Sequence, residues 1–225
     1  FDLDFSISET NSELFVFSLK MTSASLIGLV GVVLIFWQMI LGNRYLSNFI
    51  SFDVLDANKI HKFLGKYILI FLILHPLLII SAYNWDPITM LLPDFSTEFY
   101  KHVSLGVFSL WILLFIWVTS AIFHKILKYQ HWQILHYSSY IFLIFSILHS
   151  KDIGRYITKF PFLTLLWNVF LVLAIILVVF RVILASGVFY KRFKIISKDS
   201  INQSTIVLKL KLLSGKLNFK NGQFV

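Results

Sequence analysis

Long apolar stretches alternate with short polar ones along this chain, and five of the apolar stretches are long enough to cross a membrane. A spanning helix needs about 20 mainly apolar residues at about 1.5 Å per residue. The five stretches, named segments A to E, cover residues 17–41, 58–83, 102–126, 131–150 and 162–190. Segment D is the shortest of them. We therefore expect an all-α membrane bundle with five visible transmembrane helices.

The pattern changes after residue 190. Apolar residues alternate with lysines over residues 207–212, which is the period of a half-buried strand. An earlier strand is expected at residues 193–197, and Asn221-Gly222 is a turn signal. Three short strands cannot close a barrel. We predict a transmembrane domain over residues 1–190 and the beginning of a truncated β domain over residues 191–225.

Composition excludes several classes of protein. Hydrophobic residues make up 58% of the 225 residues and charged residues only 14%, whereas soluble domains are about a quarter charged. There are no cysteines, so disulfides, zinc-thiolate sites and iron–sulfur clusters are excluded.

The formal net charge of +9 lies mostly in the connections between apolar segments. The positive charges between the apolar segments therefore indicate how the protein is oriented in the membrane. Because they do not form one exposed basic face, no nucleic-acid partner is expected. Basic residues follow segments A, C and E, although the connection between D and E is basic too. The positive-inside rule then places the C-terminal domain in the cytoplasm of a multi-pass cell-membrane protein surrounded by lipid. The N-terminus falls outside, so a sixth span is expected upstream of Phe1.

Four histidines lie within segments B and D, where an ionisable residue is costly unless it meets a partner, a pathway or a cofactor. His61 and His75 are 14 residues apart, which is about 21 Å along a helix and about 40° around it. His136 and His149 are 13 apart, which is about 19.5 Å and about 140°. A bend, overwinding or ring tilt in segment D has to correct that larger offset.

Segments B and D run in the same direction, because one full span separates them. His61 should therefore lie level with His136, and His75 level with His149. Two histidines at one depth on facing helices suit bis-histidine ligation of haem iron. Zinc would require three or four ligands, and a proton relay would require acidic residues that B and D lack. We predict two b-type haems, with the four histidines as their metal ligands.

The residues around these histidines resemble a known family. His61-Lys-Phe-Leu-Gly65 followed by His75-Pro76 looks like the first haem-binding helix of the ferric reductase and NADPH oxidase superfamily. Trp132-Gln-Ile-Leu-His136, with Tyr140 and His149, looks like the second. The resemblance covers roughly residues 17–190.

The C-terminal tail ending in Asn221-Gly-Gln-Phe-Val225 resembles the first strands of this family's ferredoxin-reductase-like FAD domain. The resemblance implies an NAD(P)H oxidase-like oxidoreductase. Electrons would pass from cytoplasmic NAD(P)H through FAD in the full-length protein, and through the two haems, to an outside acceptor. The leading acceptor is O2, giving superoxide. The family's flavin motif would lie beyond Val225, so this fragment alone would be incomplete.

Other residues are candidates for a cofactor role. The family often places an aromatic residue between its haems, and Phe142 lies near the midpoint between His136 and His149. Arg181 interrupts segment E and could pair with a haem propionate. Other cations considered for propionates are Lys62 and Lys66 inside, and Lys101, His102 and Arg155 outside. Pro76 could aim the His75 ring by kinking its helix.

Three alternative functions remain open. A ferric-chelate reductase would differ only in the pocket above the outer haem. A haem-binding membrane subunit that feeds a separate periplasmic reductase would not need the β tail. A transporter or receptor bundle would make the histidines incidental.

Overall fold

The computed structural model describes residues 2–43, 46–47, 53–187, 192–202, 205–213 and 215. It is mostly helical, with one small sheet. The helices are α1 (Asp2–Leu41), α2 (Val54–Tyr83), α3 (Pro87–Met90), α4 (Glu98–Ala121), α5 (Tyr129–His136), α6 (Ser138–Ile153) and α7 (Pro161–Ala185). The predicted turn at Asn221-Gly222 and the basic residues Arg44 and Lys191 lie outside the described residues.

Within the described residues, four single helices are long and apolar enough to cross a membrane: 11–41 of α1, 55–83 of α2, α4 and α7. They correspond to segments A, B, C and E, so a multi-pass membrane protein is confirmed. α1 begins earlier than expected, at Asp2, because no proline or glycine precedes Gly28. α7 ends at Ala185, where Gly187 takes a positive φ of 74°, a usual way to end a helix.

Segment D is not one continuous helix, so that part of the five-span prediction is corrected. It forms α5 and α6, separated at Tyr137. The backbone N–H of Tyr137 donates to the carbonyl of Ile134, and that of Tyr140 donates to the carbonyl of Tyr137. These i→i−3 bonds tighten the helix. A tighter helix turns further per residue. The extra rotation reduces the angular offset between His136 and His149, so the two side chains come closer to the same face of segment D.

Local caps fix where the helices begin and end. The Asp53 carboxylate accepts the backbone N–H of Leu55 at the start of α2, and Asn84 closes α2 in the left-handed conformation with φ 55°. The Thr97 hydroxyl accepts the N–H of Tyr100 at the start of α4. In the connection between α2 and α4, the backbone N–H of Asp94 donates to the Ser104 hydroxyl, which in turn donates to the backbone carbonyl of Asp94. The connection from α2 to α4 is thereby tied to α4.

The chain divides into two compact units, residues 1–177 and 178–225. In the first unit α1 packs antiparallel along α2, and α4 packs antiparallel along α6; these are the most extensive helix contacts of the bundle. Its core contains Ile35, Phe142, Leu143, Ile147 and Trp167. The Trp167 indole N–H donates to the Ser150 hydroxyl at 2.8 Å, so the polar atom of this buried side chain has a hydrogen-bond partner.

The second unit contains the end of α7 and a two-stranded antiparallel sheet of β1 (Phe193–Ser200) and β2 (Ile206–Leu212). The strands predicted at residues 193–197 and 207–212 are both present. Phe193 pairs with Leu212 and Ile195 with Leu210, and a register shift follows at Ile196. Leu208 and Leu210 are each 47% exposed, so the expected buried face of β2 is uncovered within the described residues.

Candidate functional site

Four histidines meet in two pairs within the first unit. The ring centres of His61 on α2 and His136 at the end of α5 are 6.2 Å apart. Those of His75 on α2 and His149 on α6 are 6.3 Å apart. The rings of each pair are steeply inclined, at 70° and 84°. Two equivalent histidine pairs therefore lie at two depths of the bundle.

Helix α1 orients both histidines of α2. The Nδ1 atom of His61 lies 3.1 Å from the carbonyl oxygen of Gln38, and that of His75 lies 2.8 Å from the carbonyl oxygen of Ala24. The side-chain amide of Gln38 also donates to the backbone carbonyl of His61 at 2.9 Å. A carbonyl only accepts, so each Nδ1 carries the proton and each Nε2 keeps its lone pair.

Helix α4 plays the same part for the histidines of α5 and α6. The Nδ1 atom of His149 lies 2.8 Å from the carbonyl oxygen of His102. The Nδ1 atom of His136 lies 3.2 Å from the hydroxyl oxygen of Ser120. The Trp132 ring stacks on His136 with ring centres 5.0 Å apart. Each of the four rings is thus held by a hydrogen bond to a neighbouring helix.

Glycines on α1, just after α1 and on α4 give three of these rings room to approach. A Cβ at Gly28 would stand 2.9 Å from the His75 ring, one at Gly42 would stand 3.0 Å from the His61 ring, and one at Gly106 would stand 2.6 Å from the His149 ring. Cβ atoms do not normally approach a ring that closely. In each case the carbonyl that accepts the Nδ1 proton belongs to the residue four positions before the glycine.

Our reading of the sequence missed this scaffold, although a signal for it exists. Gly28 on α1 and Gly42 just after it are 14 residues apart, and Gly106 and Ser120 are 14 apart on α4. Both intervals equal that between His61 and His75. Matching the first interval to His61 and His75 would have found Gly28 and Gly42, whereas the interval on α4 is one residue longer than the 13 residues between His136 and His149.

A cavity of about 490 Å³ opens beside His75 and His149, within the range of about 300–1,000 Å³ typical of ligand pockets. Its lining is largely apolar. Phe142 and Pro76 are also among its lining residues. Phe142 is only 5% exposed. Phe142, predicted to lie between the haems, and Pro76, predicted to kink the helix beside His75, thus both border the cavity.

The basic residues predicted as candidates for haem propionates lie in different surroundings in the structure. Arg155 is exposed and is the only lysine, arginine, aspartate or glutamate that lines the cavity among the described residues. Lys101 pairs instead with Glu98, and Nδ1 of His102 lies 3.5 Å from a carboxylate oxygen of Asp152.

On the other side of the bundle, Lys62 is exposed and the Lys66 ammonium lies 5.2 Å from the ring centre of Tyr67. Arg181 is half-buried on α7 in the second unit. A propionate role for Arg181 stays a prediction.

Taken together, the first unit is a multi-span membrane bundle that sets two histidine pairs at two depths, with a cavity beside one of them. Residues 27–147 match the family model described as ferric reductase like transmembrane component. The match covers just over half of the chain and includes α2, α4 and α5 whole. The chain belongs to this family, which indicates an oxidoreductase that transfers electrons across a membrane. Comparison with curated proteins gives no match.

Proposed function

We propose that this protein carries electrons across the membrane through two b-type haems, one between His61 and His136 and one between His75 and His149. The observation that supports this most directly is the spacing of the paired rings, 6.2 and 6.3 Å. Metal–imidazole bonds are about 2.0 Å long, so two imidazoles that hold one metal ion would have ring centres about 6 Å apart. Both pairs match that separation.

The hydrogen bonds of the histidines fit the same assignment. A metal-ligating histidine usually donates its other N–H to a neighbouring acceptor, which fixes its tautomer and raises its basicity. Three Nδ1 atoms face backbone carbonyls, which can only accept, and that of His136 faces the Ser120 hydroxyl, which can accept or donate. With Nδ1 of His136 as the donor, the lone pair on Nε2 is available at each of the four positions.

The number of donors also favours axial ligation over a zinc site. In the part of the chain that the structure describes, no three histidine, cysteine, aspartate or glutamate residues come together to hold a metal. A structural zinc ion takes four ligands, whereas haem iron is satisfied by two axial ones. Two isolated histidine pairs, with three of the four rings against glycines, match the second case.

When bound, two haems would supply one-electron carriers at two depths of the membrane. The chain holds them with histidines from α2 and from α5 and α6, and it surrounds them with apolar side chains that exclude water. Phe142 is placed six residues after His136 and seven before His149 on this route. Arg155 at the cavity mouth is placed to attract an anion, either a propionate or an acceptor.

We propose that α5 and α6 together form the fifth crossing, and that residues 1–190 form the transmembrane domain. The sheet after it begins a cytoplasmic FAD domain, over residues 191–225, in the full-length protein. NAD(P)H would give a hydride to the flavin, which would release electrons singly. The sheet β1–β2 supports this proposal because a plain electron-carrying subunit has no need of it.

The acceptor that we propose first is O2, which one electron converts to superoxide. His75 and His149 would both hold the iron, so the haem would supply electron transfer without a binding site for oxygen. A ferric chelate is the second candidate. Arg155 favours it, since a cation at an otherwise apolar mouth attracts an anionic chelate more than a neutral gas.

A haem titration tests the proposal. The purified chain, expressed with haem supplied, should bind two haems and show a low-spin b-type spectrum after reduction with dithionite. One haem per chain, or a high-spin spectrum in every preparation, would contradict the four-ligand assignment. A protein without haem would leave the transporter or receptor interpretation.

A further inference from the structure

Ser120 stands where a glycine stands at the other three histidines. Gly28, Gly42 and Gly106 each lie against a histidine ring, and the ring bonds the carbonyl four residues earlier. At position 120 a hydroxyl side chain lies between the helix and the ring of His136. The Nδ1–Oγ distance of 3.2 Å is the longest of the four Nδ1 contacts.

The Ser120 hydroxyl is also shared. The Trp132 indole N–H, which can only donate, points at the same Oγ atom at 3.4 Å. Trp132 also stacks on His136, so three side chains from α4 and α5 form one contact group. An oxygen that serves two N–H donors is a weaker partner for each, whereas the carbonyls facing His75 and His149 approach to 2.8 Å.

The strength of this bond affects the opposite side of the imidazole ring. Donation from Nδ1–H to a strong acceptor raises the basicity of Nε2, which stabilises the oxidised metal and lowers its reduction potential. A weak acceptor has the opposite effect. The four histidines therefore differ in a property that ring spacing alone does not reveal.

We propose that Ser120 is a positioning residue for His136 that aims its Nε2 at His61 and, as a weak acceptor, raises the reduction potential of the haem held by this pair above the value that a carbonyl acceptor would give. This inference rests on the haem assignment proposed above. Ser120 would act through His136.

The test is a potentiometric titration of the haem-loaded chain, followed by its absorbance. Ser120→Ala removes the acceptor, so one of the two midpoint potentials should rise while the other stays. We expect a change of about threefold in the one-electron reduction equilibrium, which is about 28 mV. Ser120→Thr keeps the hydroxyl and should restore the original midpoint.

Thr119→Val is the matched control. Thr119 is the neighbouring residue, and its hydroxyl bonds the carbonyls of Phe115 and Ile116 on its own helix. Its removal should leave both midpoints in place. If Thr119→Val shifts a midpoint as much as Ser120→Ala does, the effect comes from general disturbance of α4, and the inference is wrong.

Ser120→Gly distinguishes the hydroxyl from mere bulk, and it remains informative if Ser120→Ala fails to load haem. It recreates the arrangement at the other three histidines, with the Ile116 carbonyl as the corresponding acceptor. The midpoint should then fall, because a carbonyl is the stronger acceptor. A rise as large as that of Ser120→Ala would overturn the inference. Binding of two haems with unmoved potentials in every Ser120 variant would refute only this inference, whereas absence of haem from the unaltered chain would refute the proposed function.

Discussion

Gly106 on α4 lies so close to His149 on α6 that a Cβ at position 106 would stand 2.6 Å from Cε1 and 2.7 Å from Nδ1 of the ring. The ring could not keep both this position and its 2.8 Å bond to the His102 carbonyl. Gly106→Ala should therefore displace the His149 ring and remove more than half of the haem at the His75–His149 pair. Haem per chain, measured from the reduced spectrum after pyridine extraction, checks this.

Gly31→Ala is the control for that variant. Its Cβ would stand 2.7 Å from Cδ2 of Leu72, the end of a flexible side chain that can rotate away. Alanine also favours a helix over glycine by about 0.8–1.0 kcal/mol. Gly31→Ala should keep two haems per chain, and equal losses in both variants would show that α1 and α4 tolerate no added methyl group at all.

The two histidine pairs should be separable in a definite order. In the full-length protein, His149→Leu should remove the outer haem, because leucine has no lone pair for the metal. NAD(P)H should still reduce the remaining haem, while reduction of the outside acceptor collapses. His136→Leu should instead stop electrons at the flavin. Anaerobic stopped-flow spectra distinguish the two variants, and the reverse order would mean that the membrane orientation is inverted.

Phe142→Leu should slow electron passage between the two histidine pairs several-fold without removing either haem. Phe142 is 5% exposed and borders the cavity, so the smaller side chain should also cost roughly 1 kcal/mol of stability. Phe145→Leu is the control on the same helix, since Phe145 packs against Phe108 with ring centres 6.5 Å apart. Flash reduction with absorbance detection measures the rate, and equal slowing in both variants would exclude a special role for Phe142.

Arg155→Ala should weaken the use of anionic acceptors more than that of neutral ones. Without the only charged side chain that lines the cavity among the described residues, KM for an anionic ferric chelate should rise roughly three- to tenfold at low salt. The difference should shrink in high salt because exposed charges are screened. Lys159→Ala, a nearby basic residue outside the cavity lining, should leave KM unchanged. Steady-state reduction with ferric citrate and with O2 makes the comparison.

The histidine pairing could be predicted from the sequence because it depends only on spacing and on the direction of the helices. His61 faces His136 and His75 faces His149, as the parallel course of segments B and D requires. The break at Tyr137 could not be predicted. No proline or glycine marks it, and at this point the backbone forms i→i−3 bonds, which no local sequence signal indicates.

Burial of the strands was predicted less well. Alternation in residues 207–212 indicates a strand, and β2 is present, yet alternation alone does not say what covers the leucines. The partners of the basic residues could not be predicted from the sequence either. In the sequence, Lys101 and Arg155 are equally good candidates for a propionate partner. Only the fold shows that Lys101 pairs with Glu98 and that Arg155 borders the cavity.

Each histidine pair takes one ring from the α1–α2 hairpin and one from the hairpin that α4 forms with α5 and α6, so neither hairpin alone can complete a ligand set. Within each hairpin the rings are already oriented by the scaffold helix. A ligand that binds only the joined form shifts the equilibrium toward it. Haem binding would then stabilise the joined form of the two hairpins, so the fraction of chains assembled into one electron-conducting unit would increase with the haem supply of the cell.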